Sequence, residues 1–419
     1  MCDGKQSFWE RHQYKFFRYG HIYASIYGQV IIDYVPQQPL RPALKALLIA
    51  YSHVFSLMLI VVLPCYFGYN YRWLMATDDR RMQLVLYVSF ANTLIKYATV
   101  IVTYMEIMFK FKASNQRCTL QRVSLEAAFD ASYHGSRWPM KSFEKFMYIK
   151  FGLINMMMIT QVCGIFAVAG TVDGDSDGGK LRFQFAIYSF VLWNYTENMA
   201  DYFYYMSSCV LKYLRQLHVQ LHSALGQLGR LAPYSQRHPM RRGMLLMKCC
   251  RLCDRIAVLR RRFTQIHALH LGSMRMHQVQ LLGLMLTTLI NNLTNFFTIF
   301  NLLATQSMAG VPFPIVASGL YALCFYLDTY IVTLVIEYIK TEQARLVLTM
   351  RRFCDYSSLD LPNLSQEVEH FSLLLMQYRQ PMLCGLLHLD RRLIYLISVT
   401  AFSYFITLVQ FDIYLRITK

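Results

Sequence analysis

The chain has 419 residues, of which 55% are hydrophobic and only 16% are charged. Because soluble globular chains carry roughly 25% charged residues, the deficit excludes an ordinary soluble domain and indicates a polytopic membrane protein. The formal net charge of +18 leaves a nucleic-acid-binding protein open until the placement of the charges along the chain is considered.

Seven stretches of the sequence are long and apolar enough to cross a bilayer, which takes about 20 residues of helix. In chain order they are residues 43–69, 83–108, 146–169, 183–210, 279–305, 313–339 and 393–415. The fourth stretch is unusually polar at "NYTENMADYFYY". Together they predict the fold class, an all-α membrane protein with seven transmembrane helices.

The Lys and Arg residues are distributed unevenly between the two sides of such a protein. They concentrate in the N-terminal tail and in the segments that join helices two and three, four and five, and six and seven. By the positive-inside rule these segments are cytosolic, so the N-terminus is cytosolic and the C-terminus extracellular, opposite to G-protein-coupled receptors. The acidic loop 171–179 then lies outside. Topology thereby explains the positive charge, and no nucleic-acid partner is expected.

The predicted topology divides the chain into six parts. They are a cytosolic N-terminal segment (1–42), transmembrane helices one to four (43–210), cytosolic helical extensions (211–278), transmembrane helices five and six (279–339), a cytosolic segment with an amphipathic helix (340–392), and helix seven with a short extracellular tail (393–419). Pro381 and Gly385 predict a break before helix seven. We expect the two long cytosolic segments to form a helical anchor. Apolar residues recur at helical spacing in the first of them, namely Met244, Met247, Cys250, Ile256 and Leu259.

Helix seven carries one narrow polar line on an otherwise apolar surface. Its residues are spaced 3, 4, 3 and 4 apart and fall within an arc of about 80° on a helix of 3.6 residues per turn. Such a line either bonds to neighbouring helices or faces water. Gln410 lies about 26 Å along the axis from Leu393, near the external end of the span. The line consists of Thr400, Ser403, Thr407, Gln410 and Tyr414.

The stretch "SYFITLVQF" (403–411) resembles the last-helix signature of insect gustatory receptors, which reads Thr-Tyr, five hydrophobic residues, Gln-Phe. Ser403 replaces the Thr, and Thr407 takes one hydrophobic place. The preceding "CGLLHLDRRLIYLI" (384–397) is also similar to the family's approach to that signature. The resemblance covers the whole chain in length, helix count and topology.

This resemblance implies a ligand-gated, cation-permeable tetrameric channel in the plasma membrane of taste neurons, at the sensory dendrite. Its last helix would line a central pore, and its partners would be a small tastant, membrane lipid and other gustatory receptor subunits. No enzymatic activity and no cofactor are expected. The pore and gate residues are then Thr400, Ser403, Tyr404, Thr407, Gln410 and Phe411.

The external halves of helices two to six are expected to enclose a ligand pocket, since such sites combine apolar or aromatic walls with a few polar groups. Hydrogen bonding between helices is the alternative role for the polar candidates. Trp193 and Tyr321 are preferred because aromatic walls stack on planar or sugar-like ligands. The candidates are Tyr87, Asn92, Gln161, Tyr188, Trp193, Asn194, Asn291, Asn295, Tyr321 and Tyr326, with Asn292, Asn301 and Ser318 nearby.

The aromatic, weakly charged character of this predicted pocket favours a bitter compound, such as a planar alkaloid of the caffeine type. A sugar-sensing receptor, an odorant-type receptor and a G-protein-coupled receptor remain alternatives. Three acids fall within the spans and need partners: Glu197, Asp201 and Asp328. Lys96 is expected to offset one of them, and a buried ion pair is expected rather than a metal site.

Overall fold

The computed structural model shows an all-helical chain. It describes residues 8–29, 42–75, 80–132, 138–171, 177–237, 242–305, 312–354, 362–377 and 381–417. In chain order the helices are α1 (Phe8–Ile26), α2 (Pro42–Leu57), α3 (Leu63–Tyr69), α4 (Tyr71–Met75), α5 (Arg80–Glu106), α6 (Lys112–Ser132), α7 (Trp138–Thr171), α8 (Asp177–Arg237), α9 (Arg242–Met276), α10 (Gln278–Thr305), α11 (Pro312–Cys354), α12 (Pro362–Met376) and α13 (Arg391–Ile417).

Two π-helical turns join consecutive helices without interrupting them. The turn Met58–Val62 connects α2 to α3, and Ile107–Phe111 connects α5 to α6. The first of these turns precedes Pro64, which cannot donate a backbone hydrogen bond, and a widened turn accommodates such a missing bond. The first predicted span is therefore one continuous helix, and the helix of the second continues well beyond its predicted end.

Five described helices are long and apolar enough to cross a membrane. They are Ala43–Tyr69, Leu86–Phe109, Trp138–Phe166, Gly319–Phe353 and Arg391–Phe411. The fourth and fifth predicted spans lie on the continuous helices α8 and α10 but do not meet the same criterion. Polar residues lower the mean hydropathy of both, because the fifth span carries four asparagines and the fourth carries two asparagines and two acids. The count of seven spans and the orientation of the termini stay predictions.

Helix α8 forms the centre of the molecule. It runs for 61 residues without a break, and every side chain from residue 192 to 217 is buried. It contacts α5, α7, α9, α10 and α11. A helix surrounded on all sides is buried whatever its polarity, so its polar groups must find partners inside the protein. Its largest buried side chains are Trp193, Tyr195, Tyr202, Tyr204 and Tyr213.

A second packed unit includes the C-terminal parts of α8 and α11, and we call it the distal bundle. It consists of α6, residues 211–237 of α8, α9, residues 340–354 of α11, and α12. Helix α12 buries Leu364, Val368, Phe371 and Leu375, which confirms the expected amphipathic helix. The chain then breaks as predicted near Pro381 and Gly385, where Cys384 and Gly385 adopt positive φ angles of 51° and 71°.

The expected packing face of α9 is half wrong. Ile256 and Leu259 are buried as predicted, whereas Met244, Met247 and Cys250 are exposed. The buried stripe instead runs through Cys249, Leu252, Ile256, Leu259 and Phe263, spaced 3, 4, 3 and 4 apart. The exposed residues lie on a neighbouring face of the helix. Their apolar side chains were therefore wrongly assigned to the packing face.

The N-terminal segment, expected only as a cytosolic tail, contains helix α1. The α1 ring of Phe16 packs at 4.9 Å from Phe151 of α7, and Phe17 packs at 5.1 Å from Tyr205 of α8. The segment has no continuous apolar run, so no helix was predicted here, although Phe16, Phe17 and Tyr23 recur at helical spacing. Its partners become visible only in the folded chain.

Candidate functional site

Helix α13 is fixed by a cap at its start and by one packed face. Asp390 accepts a hydrogen bond of 3.2 Å from the Leu393 backbone N–H, which satisfies one of the free donors of the first turn. Ile394, Ile397 and Ala401 are buried, mainly against α10 and also against α11. This face fixes the rotation of α13 about its axis and hence the direction of every other side chain.

The polar line points away from that packed face. Its centre lies about 140° around the helix from the buried stripe, at 3.6 residues per turn. Ser403, Thr407 and Gln410 are exposed in the single chain, Thr400 is half-buried, and the Thr407 hydroxyl bonds at 3.1 Å to the Ser403 carbonyl. The flanking rings of Tyr404 and Phe411 are more than half exposed. The line is therefore directed outward from its own chain.

Five of the ten predicted ligand residues meet in one polar network inside the helix bundle. Asn194 donates to the side-chain oxygen of Gln161, and Gln161 donates to the Tyr321 hydroxyl, both at 3.4 Å. Tyr321 lies beside Asn291, which accepts a hydrogen bond from Asn92. The network thus links α5, α7, α8, α10 and α11. Both roles foreseen for these residues, interhelical bonding and pocket lining, remain compatible with it.

Trp193 lies next to this network and is almost fully buried. Its ring centroid is 4.4 Å from Phe325, whose ring is in turn 5.7 Å from Tyr321. The Lys96 ammonium lies 5.8 Å from the Trp193 ring centre. Among the described residues, the indole N–H of Trp193 has no hydrogen-bond acceptor. A buried donor without a partner is costly, so a bound ligand with an acceptor atom would satisfy it.

The remaining predicted ligand residues are placed apart from this network. Tyr188 is buried in a separate apolar cluster, and its hydroxyl donates to the Leu59 carbonyl at 3.1 Å. Tyr87 is nearly half exposed, and Tyr326 packs against the main core. Asn295 is half-buried, with a side-chain N–H₂ that lacks a partner among the described residues. The side chains of Asn301 and Ser318 lie outside the described residues.

The three intramembrane acids form one cluster, but with a different lysine from the one expected. Lys150 Nζ lies 2.7 Å from both Asp201 and Asp328 and 3.3 Å from Glu197. Lys96 instead bonds to the Ser189 hydroxyl at 3.1 Å, so the expected pairing is wrong. The carboxylate oxygens lie within 4.8 Å of one another, close enough for a metal ion. The ammonium already occupies their centre, so the geometry fits an ion-pair cluster better.

Lys150 was a second candidate partner that the sequence offered beside Lys96. It lies four residues inside the third predicted span, and an ionisable residue at that depth is expected to have a charged partner. Only Lys96 was named as a partner for the acids, and Lys150 was left unassigned although it falls within the third predicted span. The folded chain shows that its side chain turns toward α8 and α11.

A cavity of about 190 Å³ adjoins this cluster between α1, α7 and α8. This cavity was not predicted, because the segment that forms α1 was expected only as part of the cytosolic tail. Tyr23 on its wall donates a hydrogen bond of 2.7 Å to Asn194, so the cavity touches one end of the polar network. It is lined by Phe16, Phe17, Tyr19, Gly20, Tyr23, Met147, Lys150, Phe151, Ile154, Asn155, Met158, Asn198, Asp201, Tyr204 and Tyr205.

The distal bundle holds ion pairs of its own. Lys212 lies 2.7 Å from Glu126, and burial alone would raise the pKa of that carboxyl. The charge and hydrogen bond of Lys212 outweigh burial and lower the pKa of Glu126. His270 is fully enclosed on α9, and burial lowers its pKa to about 4. The ion pair ties α6 to α8, whereas burial keeps the histidine neutral.

Comparison with known proteins places these features in a wider group. A family model described as 7tm chemosensory receptor matches residues 17–415. The chain is 58% identical over 414 residues to Gustatory receptor 10a of Drosophila melanogaster, covering 99% of this chain and 98% of that relative. Structures of the insect olfactory receptor OR5 from Machilis hrabei, alone and in complex with eugenol, are similar in fold. Each has a TM-score of 0.61 at 11% identity and covers 96% of this chain and 99% of that one.

Proposed function

This chain belongs to the insect gustatory receptor family, and from that premise we propose that it is a subunit of a ligand-gated cation channel that detects bitter tastants. The family is one of chemosensory receptors rather than of enzymes. The proposal keeps the predicted topology, with seven spans, a cytosolic N-terminus and an extracellular C-terminus. It places the protein in the plasma membrane of a sensory neuron, at the dendrite.

The observation that carries the channel proposal is the direction of the polar line on α13. Ser403, Thr407 and Gln410 face away from the helices of their own chain. Facing lipid would leave the Gln410 carboxamide without hydrogen-bond partners in the hydrocarbon, which is costly. A symmetric ring of subunits removes this cost, because the lines of several chains then surround one water-filled axis.

In this arrangement Gln410 and Phe411 form the narrow external part of the pore. A carboxamide ring replaces some of the water around a cation without holding the ion by full charges, so ions enter and leave. The phenyl rings next to it close the path when the subunits come together. Movement of α10, which packs on the buried face of α13, would widen the ring and admit Na⁺ and Ca²⁺.

The tastant pocket is proposed at the polar network beside Trp193 and Tyr321. This site offers aromatic surface, amide groups and an indole donor that has no acceptor among the described residues, which suits a planar molecule with acceptor atoms. A caffeine-like alkaloid has these properties. The olfactory receptor of the same fold has a structure in complex with eugenol, a small molecule, which supports a ligand of comparable size. The neighbouring α10 and α11 would pass its binding to α13.

The assembly is proposed to be a tetramer, either of this chain alone or with other gustatory receptor subunits. The resemblance to the family gives the number of subunits. Ser403 stands where the family signature has Thr, which keeps the hydroxyl and removes one methyl group. A subunit with this change is proposed to work with co-receptors, whose own lines would complete the pore wall.

Calcium imaging of cells that express the full chain, alone and with other gustatory receptor subunits, tests the proposal. We expect an alkaloid to cause calcium entry that disappears when external calcium is removed. A response that persists without external calcium and needs G proteins would assign the chain to the receptor alternative instead. A response to sugars or volatile odorants, without one to alkaloids, would assign the corresponding ligand class.

The topology has a separate test. An epitope tag at the C-terminus should bind antibody on intact cells, because the proposed C-terminus is extracellular. A tag that becomes accessible only after the membrane is permeabilised would overturn the orientation, whatever the ligand response. A tag on the N-terminus serves as the matched control and should show the opposite behaviour.

A further inference from the structure

The cavity between α1, α7 and α8 has no role in the proposed pore. Aromatic rings form much of its wall, and α1 closes it through contacts of Phe16 and Tyr19 with Phe151, at 4.9 and 5.7 Å between ring centres. The Tyr19 ring is about half exposed, so the cavity has a path to the surface at this rim. Its volume of about 190 Å³ has room for roughly a dozen waters or one small organic molecule.

The floor of the cavity is charged and buried. Lys150, Asn198 and Asp201 line it, and each is at least nine-tenths buried. Lys150 is shared among three carboxylates, so the cluster holds an excess of negative charge over positive. One proton shared between two of the carboxylates would still leave an excess. Buried charge without compensation is strongly unfavourable, so a cationic ligand would be stabilised here.

We propose that this cavity binds a small organic cation, a protonated amine on an aromatic or apolar body. The ammonium group lies toward Asp201, and the body lies between the rings of α1 and α7. Rings such as Tyr19 and Phe151 attract cations through their faces and apolar groups through their area. The site is distinct from the proposed tastant pocket, because neither Trp193 nor Tyr321 lines it.

The position of the cavity in the proposed topology determines how a ligand would reach it. Lys150 lies about 6 Å from the cytosolic start of the third span, and Asp201 about 14 Å from the cytosolic end of the fourth. The cavity therefore opens toward the inner half of the membrane. A weak base enters by crossing the bilayer as the neutral amine and is protonated at the site. The occupant would touch Tyr23, which bonds to Asn194 in the polar network.

Binding measurements on the purified full-length protein test this inference without relying on channel activity. Three probes share one phenyl ring and differ in charge: phenethylamine, 2-phenylethanol and phenylacetate. Calorimetric titration, corrected with protein-free detergent, should give at least tenfold tighter binding of the amine than of the alcohol, and still weaker binding of the acid. Equal affinities for the amine and the alcohol would overturn the proposal.

Variants place the bound amine in the cavity. Asp201→Asn lowers the excess negative charge, so it should fold, and we expect it to weaken amine binding about tenfold while leaving alcohol binding within twofold. Ile154→Trp fills the cavity without changing its charge and should abolish binding of the amine. Trp193→Phe, next to the tastant pocket, should leave amine affinity unchanged. Amine binding that survives Ile154→Trp, or that is lost only in Trp193→Phe, would contradict the inner site.

Discussion

Lys150 of α7 and Asp328 of α11 form an ion pair with a separation of 2.7 Å, although they are 178 positions apart in the sequence. The same ammonium contacts Asp201 and Glu197 of α8. One lysine therefore connects three helices at a point where every participating side chain is buried. These helices contribute to both the proposed tastant pocket and the cavity beside α1. The cluster therefore holds together the helices that carry the two sites.

Replacing Lys150 by Met should strongly destabilise the protein. The change keeps the length of the side chain but leaves three buried carboxylates without their shared cation. Breaking a buried ion pair in this way costs about 3–5 kcal/mol. The apparent melting temperature of the detergent-solubilised protein, followed by fluorescence-detected size exclusion, measures the effect. Lys145→Met, on an exposed position of the same helix, is the control and should melt like the wild type.

A double variant distinguishes the effect of lost charge from the effect of lost packing in this cluster. Adding Asp328→Asn to Lys150→Met removes one of the buried negative charges that Lys150 no longer compensates, and should recover part of the lost stability. If Lys150→Met alone melts within a degree of the wild type, the cluster does not hold the three helices together. If the added substitution lowers stability further, lost packing rather than charge explains the effect of the first.

Sequence patterns were sufficient for the local features of this fold and not for its contacts. Five of the predicted spans follow from runs of apolar residues, and the break near Gly385 follows from the special backbone freedom of glycine. The partner of the buried acids could not be read in the same way. Lys96 and Lys150 look alike in sequence, and only the rotation of α5 and α7 in the bundle decides which one reaches the carboxylates.

Gly283 of α10 should not tolerate a larger side chain. A Cβ atom at this position would lie 2.6 Å from Thr99 Cγ2 of α5, and the Thr99 hydroxyl is held by a 2.8 Å bond to the Ile95 carbonyl. Gly283→Ala should therefore cost about 1–3 kcal/mol through overpacking, despite the better helix propensity of alanine. Thermal melting of the solubilised protein gives the measurement.

The matched control for this close approach is Gly152→Ala on α7. Apart from the adjacent backbone of α7, no atom of the described residues lies within 4 Å of the Cβ that this change would add, so its stability should be equal to or above that of the wild type. Combining Gly283→Ala with Thr99→Ala should restore part of the loss, because two of the three clashing atoms are removed. A double variant no better than Gly283→Ala would show that the two helices do not meet here.

Acidification should weaken the distal bundle through His270. Burial, with a smaller effect of His267, lowers the pKa of the folded His270 to about 4 from 6.5. The unfolded chain thus binds a proton that the folded chain does not, and stability is lost as pH falls from about 6.5 toward 4. Between pH 7.5 and 5 this group alone contributes a loss of about 2 kcal/mol.

A variant without the titrating ring measures that contribution. The Nδ1 atom of His270 has no hydrogen-bond partner among the described residues, so His270→Leu should fold. We expect it to lose less melting temperature than the wild type between pH 7.5 and 5. His222→Leu, at an exposed position, should follow the wild type. Parallel pH profiles for His270→Leu and wild type would contradict the buried neutral histidine.

In the candidate site, too, the sequence predicts which residues share a helix face but not what that face contacts. The line on α13 was visible from spacing alone, because 3.6 residues per turn places Ser403, Thr407 and Gln410 on one side. Whether that side faced other helices or the outside depended on Ile394 and Ala401, whose burial against α10 and α11 is a property of the folded chain. The cavity required α1, which has no continuous apolar run and was not predicted as a helix.

Gln410→Ala should change ion permeation while leaving folding and ligand binding intact. The side chain is exposed in the single chain, so its removal leaves no cavity inside the protein. In the proposed pore it removes a carboxamide from every subunit that carries the change, which weakens the replacement of cation hydration at the constriction. We expect altered conductance and altered relative permeability of Ca²⁺ and Na⁺ in whole-cell recordings, at unchanged surface expression.

Ile413→Ala is the matched control, because Ile413 lies one turn further on and is exposed outside the polar line. It should leave permeation unchanged, since its side chain faces lipid or a neighbouring subunit rather than the axis. Wild-type permeation in Gln410→Ala, or an equal effect of the two substitutions, would remove the polar line from the pore wall.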